Sequence, residues 1–152
     1  MQTRRKTLKQ SAVVAGLLAA SGLFPQYAFA AFNKVAFDAK TLAEVLKAMG
    51  AGAPVESKDV TIGGPDIAEN GAVVPLTAST ALPGVKQILI LVEKNPSALI
   101  AVFNVTDSVE ANFATRAKMG QSSDVYAVAI MADGKVLFAK KEVKVTLGGC
   151  GG

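Results

Sequence analysis

The fold of this 152-residue chain is determined by residues 85–105, VKQILILVEKNPSALIAVFNV. Residues 85–92 and 99–105 each predict a β-strand, and Lys94-Asn95-Pro96-Ser97 between them predicts a turn. Both strands, and a third at 125–131, consist largely of continuous apolar runs. An antiparallel strand with one face in water should alternate, so continuous runs indicate that both faces are covered. An amphipathic helix could cover part of the outer face and a partner protein the remainder; alternatively, alanines are simply tolerated at outer positions.

Four further segments predict short strands on either side of this central group. They are residues 60–62, 73–77, 112–118 and 136–147. Turns are expected at Glu69-Asn70-Gly71 and Asp133-Gly134, and Pro75 suits an edge position or a bulge. About seven short strands at this spacing predict an all-β fold, an immunoglobulin-like antiparallel β-sandwich that spans residues 54–147. The disulfide cysteines and the tryptophan of antibody domains are absent from the sequence.

One helix is predicted in front of the sandwich, over residues 32–50. Asp38 is its expected N-cap, and Gly50 is expected to end it. Apolar residues recur at the three-to-four spacing of one helical stripe, at Leu42, Val45, Leu46 and Met49. Residues 31–53 are therefore interpreted as an N-terminal helix and linker.

Residues 1–30 have the pattern of an export signal. The basic start Arg4-Arg5-Lys6 precedes an apolar run at 12–24, which is too short to span a bilayer, and a cleavage site at Ala28-Phe29-Ala30. The paired arginines resemble a twin-arginine signal, although Thr7 stands where phenylalanine is commonest. We therefore expect a periplasmic protein, exported by the twin-arginine route and free of the membrane once the signal is removed.

Charge and composition exclude several classes of function. The net charge of +4 comes entirely from four basic residues within 1–30, so the remaining chain carries 12 basic and 12 acidic residues. A neutral chain without a basic run offers little to a nucleic-acid backbone. Because the sequence contains no histidine, histidine-dependent triads, most zinc sites and histidine-ligated haem are excluded. We expect no metal, no cofactor and no catalytic groups, and hence no enzyme.

The chain ends in Gly148-Gly149-Cys150-Gly151-Gly152, which contains its one cysteine. Glycines on both sides predict a thin, flexible arm, and five extended residues reach at most roughly 17 Å. A lone cysteine in an exported protein indicates either an intermolecular disulfide or a free reactive thiol. Prenylation needs three residues after the cysteine, and only two follow it here.

Taken together, the chain resembles the SoxY family, the sulfur carriers of bacterial thiosulfate oxidation. Four features carry the resemblance: the twin-arginine signal, the stretch IAENGAVVP at 67–75, the sandwich pattern and the terminal Gly-Gly-Cys-Gly-Gly. The resemblance covers essentially the whole chain. It implies that Cys150 is the site of covalent substrate attachment and that the four glycines around it form the carrier arm.

The resemblance also implies partners and a mechanism. A second small sandwich subunit, SoxZ, would form a heterodimer with the chain. A haem enzyme would load thiosulfate onto Cys150, a hydrolase would release sulfate, and a sulfane dehydrogenase would oxidise the remaining sulfur. Two other interpretations stay open: a secreted structural sandwich cross-linked through a Cys150 disulfide, and a small sulfur donor that uses a C-terminal Gly-Gly thiocarboxylate. The second needs ATP and a different fold.

Overall fold

The computed structural model describes Val13 and residues 33–146, and the second range contains two helices and nine strands. The helices are α1 (Lys34–Asp38) and α2 (Leu42–Ala48). The strands are β1 (Pro54–Glu56), β2 (Val60–Gly63), β3 (Ile67–Ala68), β4 (Val74–Thr80), β5 (Val85–Val92), β6 (Leu99–Asn104), β7 (Asn112–Ala117), β8 (Ser123–Met131) and β9 (Val136–Val145).

The nine strands form two sheets that pack face to face. The larger sheet has the order β1-β9-β8-β5-β6, with β3 also paired to β9, and the smaller has the order β2-β4-β7. This confirms the predicted all-β sandwich. Two strands exceed the predicted number, because β1 and β3 are only three and two residues long and show no alternation. Both run parallel to β9, whereas every other pairing is antiparallel in the described sheets.

Strand β5 faces a separate hydrophobic core on each side. Ile88, Ile90 and Val92 point into the core between the two sheets, and all three are fully buried. Leu89 and Leu91, on the opposite face, belong to a second core formed with the helices. The continuous apolar run is thus explained by a strand with two dry faces, as predicted.

The chain's own helices cover the outer face of the larger sheet. Ala36 of α1 and Val45 and Leu46 of α2 are buried, and they belong to the same hydrophobic cluster as Leu89 and Val128. These strand faces therefore need no partner protein to cover them. The alternative of outward-facing alanines is wrong, because the fully buried alanines of β8, at 127 and 129, point into the core between the sheets.

The single predicted helix is wrong: two helices occupy this segment. Asp38, the expected N-cap, instead ends α1, and the N-cap of α2 is Thr41, whose Oγ1 accepts a hydrogen bond of 3.2 Å from the Glu44 amide. Between them Ala39 is extended, with φ −66° and ψ 145°, and its carbonyl accepts a 3.0 Å hydrogen bond from the Ala98 amide. That contact with the β5–β6 connection diverts the backbone, which no local pattern reveals. Gly50 follows the helix with φ 67°, as predicted.

Two smaller predictions are confirmed. Gly134 has φ 87°, which fits the expected tight turn between β8 and β9. Pro75 pairs with Arg116 of β7, and β2 pairs with β4 only at 77–80, so no strand of the described sheet flanks the other side of the proline. Among the described residues, no helix combines the length and apolarity needed to cross a bilayer.

Candidate functional site

The predicted attachment residue, Cys150, lies outside the described residues, as do Gly148, Gly149, Gly151 and Gly152. The twin-arginine pair and the cleavage site also fall outside them. The described chain ends at Thr146, one residue beyond β9, so the candidate site is built from the strand that leads into the predicted arm.

Strand β9 is paired along both of its edges. On one side it pairs with β8 over eight residues, from Val136 opposite Ile130 to Val143 opposite Ser123. On the other side its start pairs with β1 and its end pairs with β3, where Ile67 lies opposite Lys144. The predicted arm would therefore follow a strand that is anchored on both sides, and not one at the free edge of a sheet.

Each of the last three described residues donates a hydrogen bond from its backbone amide. The amides of Lys144 and Thr146 donate to the carbonyls of Asp66 and Ala68, at 3.0 and 3.1 Å. The amide of Val145, between them, donates to Ser122 Oγ at 2.9 Å. Successive amides of a strand point to opposite sides, so these three bonds hold the end of β9 from both edges.

A close backbone crossing lies beside these bonds. The Met119 amide donates to the Gly71 carbonyl at 2.7 Å, and Met119 is fully buried. A Cβ on Gly71 would lie 2.3 Å from the Met119 carbonyl oxygen and 2.8 Å from Cγ1 of Val145. Gly71 is therefore required for space. The turn expected at Glu69-Asn70-Gly71 is present, and the Val73 amide donates to the Asn70 carbonyl at 3.4 Å. It does not use a positive φ at Gly71, because Asn70 Oδ1 accepts from the Ala72 amide at 2.9 Å and closes the turn.

An ion pair between Lys141 of β9 and Asp66 also holds the segment that precedes β3. Lys141 Nζ lies 2.8 Å from Asp66 Oδ1 and donates to the Gly64 carbonyl at 2.6 Å. The hydrogen bond and the charge of Lys141 lower the pKa of Asp66 below its usual value. The Asp66 side chain is 89% exposed, so solvent screens its ion pair with Lys141. The Lys141 bond to the Gly64 carbonyl is partly buried and is therefore less screened.

The described polar groups near the end of β9 form hydrogen bonds that hold the backbone in place. Ser123 is the buried polar residue here, and its Oγ accepts from the Lys94 amide and donates to the Asp124 carbonyl. Between residues 33 and 146 no cluster of three or more histidine, cysteine, aspartate or glutamate side chains is arranged to hold a metal ion. What this arrangement provides is a rigid base for the residues that follow it.

An open cleft of about 990 Å³ lies at the other end of the sandwich, lined by residues such as Lys58, Leu82 and Asp107. It borders Val85, which pairs with Met131 at the far end of β8 from Ser123. Eight strand residues separate the two ends, or about 26 Å. Four extended residues from Thr146 to Cys150 reach at most about 14 Å. The cleft is thus out of reach of the cysteine of the same chain.

Sequence reasoning misses the contacts that hold the end of β9. It predicts a turn and the start of a strand over residues 67–75. In the structure, residues 66–71 instead contact the end of β9. The parallel pairing of Ile67 and Ala68 with β9 joins residues 77 positions apart, which no spacing reveals. The one available signal is the glycine after Asn70, which marks either a turn or a close approach.

Comparison with known proteins gives one family. The family described as sulfur oxidation protein SoxY matches residues 45–150. The structure is similar to that of the sulfur carrier protein SoxY from Chlorobium limicola f thiosulfatophilum, with 33% sequence identity, 69% of this chain and 94% of that chain covered, and a TM-score of 0.62. No match was found among curated protein sequences.

A more distant similarity concerns the fold alone. A variant of superoxide reductase (neelaredoxin) from Ignicoccus hospitalis has 17% identity, with 57% of this chain and 79% of that chain covered, and gives a TM-score of 0.52. Similarity at this level of identity indicates a common sandwich architecture and carries no inference about chemistry.

Proposed function

Because the chain belongs to the SoxY family of sulfur oxidation proteins, we propose that it is a sulfur carrier that holds the intermediates of thiosulfate oxidation covalently on Cys150. The observation that carries this proposal is the extent of the family match, which ends on residue 150 and so includes the chain's one cysteine. The glycines at 148, 149, 151 and 152 make up the carrier arm.

The chemistry needs only a thiolate from this chain. In loading, the Cys150 thiolate and thiosulfate form a sulfur–sulfur bond and give up two electrons to the haem enzyme. Water then cleaves the terminal sulfonate as sulfate and leaves a persulfide on Cys150. Oxidation of the outer sulfur by the dehydrogenase removes six electrons and adds three oxygens from water, and a second hydrolysis releases sulfate and restores the thiolate. The thiolate is the reactive form of cysteine at the start and end of this cycle.

The anchored end of β9 supports the proposal, because a carrier needs a firm base for the residues that follow the strand. Hydrogen bonds from the backbone amides of Lys144, Val145 and Thr146 anchor the end of β9. The cleft at the opposite end of the sandwich is too distant for Cys150 to enter. In the proposed function, the reactions on the bound sulfur take place in the active sites of partner enzymes, which Cys150 enters in turn.

The proposal includes a compartment and a partner subunit. The Arg4-Arg5 signal directs the folded chain to the periplasm, and a SoxZ-like sandwich subunit forms a heterodimer with it. Changing both arginines to lysine should leave the precursor in the cytoplasm, as measured by fractionation. Normal export of that variant would indicate the general secretory route instead.

Intact-mass spectrometry and turnover measurements test the carrier function. Cys150→Ser should abolish thiosulfate-dependent turnover in the reconstituted system and remove every mass adduct, because a serine hydroxyl cannot form the sulfur–sulfur bond. Gly149→Val and Gly151→Val keep the thiol but add a stiff, branched side chain to the arm. Both should lose enzymatic turnover, while iodoacetamide still alkylates Cys150 at a nearly normal rate.

The same variants distinguish a structural disulfide. In that case Cys150→Ser would lose a covalent dimer, the valine variants would keep it, and turnover would not depend on residue 150. Unchanged turnover in Cys150→Ser would refute the carrier function outright.

A further inference from the structure

We propose that Asp66, Ala68, Gly71, Met119 and Ser122 form a clamp that fixes the direction in which the chain leaves β9, and that Gly71 is a positioning residue for transfer of the bound sulfur group. The inference rests on the proposed carrier function. It assigns a task to the stretch at 67–75, which the carrier chemistry itself leaves unused.

The hydrogen bonds of the clamp act on three consecutive residues. Two carbonyls of the 66–68 segment accept from Lys144 and Thr146, and Ser122 Oγ accepts from Val145 on the other side. Thr146 Oγ1 adds a longer contact of 3.4 Å to the Ala68 carbonyl. A strand end held from one edge could pivot about that edge. Bonds on both edges remove the pivot, so the backbone direction at Thr146 is defined.

At Gly71 the 66–71 segment contacts the 118–122 connection, and these two segments are the two sides of the clamp. Its carbonyl accepts from the Met119 amide at 2.7 Å, while its missing side chain leaves room for the Met119 carbonyl and for Val145. Both obstacles to a larger residue lie close, and the nearer one is backbone, at 2.3 Å from an ideal Cβ. A backbone oxygen cannot rotate away. A methyl group at 71 must therefore displace either the 118–122 connection or the end of β9 itself.

The direction of the strand end matters because the cysteine lies beyond it. Cys150 is four residues from Thr146, which is at most about 14 Å of extended chain. Because the arm is predicted to be flexible, its tip has no single position, and the strand end instead sets the volume that Cys150 can reach. Displacing the strand end shifts that volume away from a docked active site and lowers the effective concentration of the thiol there. A clamp that fixes the strand end therefore favours productive entry of the arm into several different active sites.

The test compares Gly71→Ala with Gly120→Ala. Gly120 lies in the same connection as Met119, but a Cβ there meets no atom within 4 Å, so it is a matched control for the added methyl group. We expect Gly71→Ala to lower kcat/KM of the partner enzymes for the loaded carrier severalfold, because the volume that the thiol can reach is displaced. The alkylation rate of Cys150 by iodoacetamide should stay within about twofold, and Gly120→Ala should match the unsubstituted carrier in both measurements.

A distance measurement provides a readout that a purely structural role would not change. Spin labels on Cys150 and on Glu56→Cys, in the exposed part of β1, report the position of the tip relative to the sheet. Gly71→Ala should shift or broaden that distance distribution in the folded population, and Gly120→Ala should not. Ser122→Ala, which removes the acceptor of the Val145 amide without adding bulk, should broaden it less and lower kcat/KM by a smaller factor.

Three outcomes overturn the clamp. The first is a wild-type distance distribution in Gly71→Ala. The second is wild-type transfer in both Gly71→Ala and Ser122→Ala. The third is an equal loss of transfer in Val45→Ala, which loosens the distant helix-covered core and leaves the clamp intact. Failure of the carrier function is separate, because it would appear as turnover that survives Cys150→Ser, whatever the distances show.

Discussion

The substitution Leu46→Ala tests whether α2 is an integral part of the fold. The Leu46 side chain is 2% exposed and packs in the core between the helices and the outer face of the larger sheet. Its replacement removes the equivalent of three buried methylene groups, or about 2.4 kcal/mol of transfer free energy at about 0.8 kcal/mol each. The cavity that remains raises the expected loss of unfolding free energy to about 3 kcal/mol. Helix propensity changes little, since leucine and alanine are both strong helix formers.

Urea denaturation of the purified chain measures this loss. With an m-value of about 2 kcal/mol/M, the midpoint should fall by about 1.5 M. Lys47→Ala is the matched control, because Lys47 is exposed on the same helix and its loss should shift the midpoint by less than about 0.3 M. If Leu46→Ala and Lys47→Ala gave the same midpoint, the helices would not be covering the sheet in solution, and the two-core interpretation of β5 would be refuted.

Two further predictions concern the helix cap and Tyr126. Thr41→Ala should cost about 1 kcal/mol of unfolding free energy, because it removes the acceptor of the Glu44 amide; equal urea midpoints for Thr41→Ala and the parent chain would contradict this cap assignment. Burial, followed by the charges of Glu93 and Asp124, raises the pKa of Tyr126 to about 12, so its phenolate absorbance should appear near that pH. The neutral phenol is favoured in the folded chain, so stability should fall as pH rises from about 10 to about 12, and a spectroscopic midpoint near 10 would show that the ring is solvated.

The main strands can be predicted because their burial depends on local composition. Residues 85–92 form β5 with the predicted bounds, since a run of isoleucine, leucine and valine stabilises a strand wherever both of its faces are dry. The helical stripe at Val45 and Leu46 is predictable for the same reason. In each case the pattern of side chains is enough to predict the element, because any apolar surface of the same chain can pack against it.

The missed features depend on contacts between distant parts of the chain. The break between α1 and α2 is stabilised by a bond from the Ala98 amide to the Ala39 carbonyl, 59 residues apart. Strand β3 has two residues, too few to show any periodicity, and it forms by pairing with the part of the β9 edge that β1 does not occupy. The sequence marks Gly71 as a position where a glycine is needed. Whether the need is a positive φ or close packing depends on the position of Met119, which the sequence does not reveal.

The double pairing of β9 also has a mechanical consequence. In the proposed carrier function, docking and release would pull on this strand along its axis. Its hydrogen bonds to β8 on one side, and to β1 and β3 on the other, lie across that axis and are loaded together in shear, not broken one at a time as in the peeling of an edge strand. Such a pull would be shared among the hydrogen bonds to all three neighbouring strands. A carrier of the proposed kind could therefore pass through many cycles without its last strand separating from the sheet.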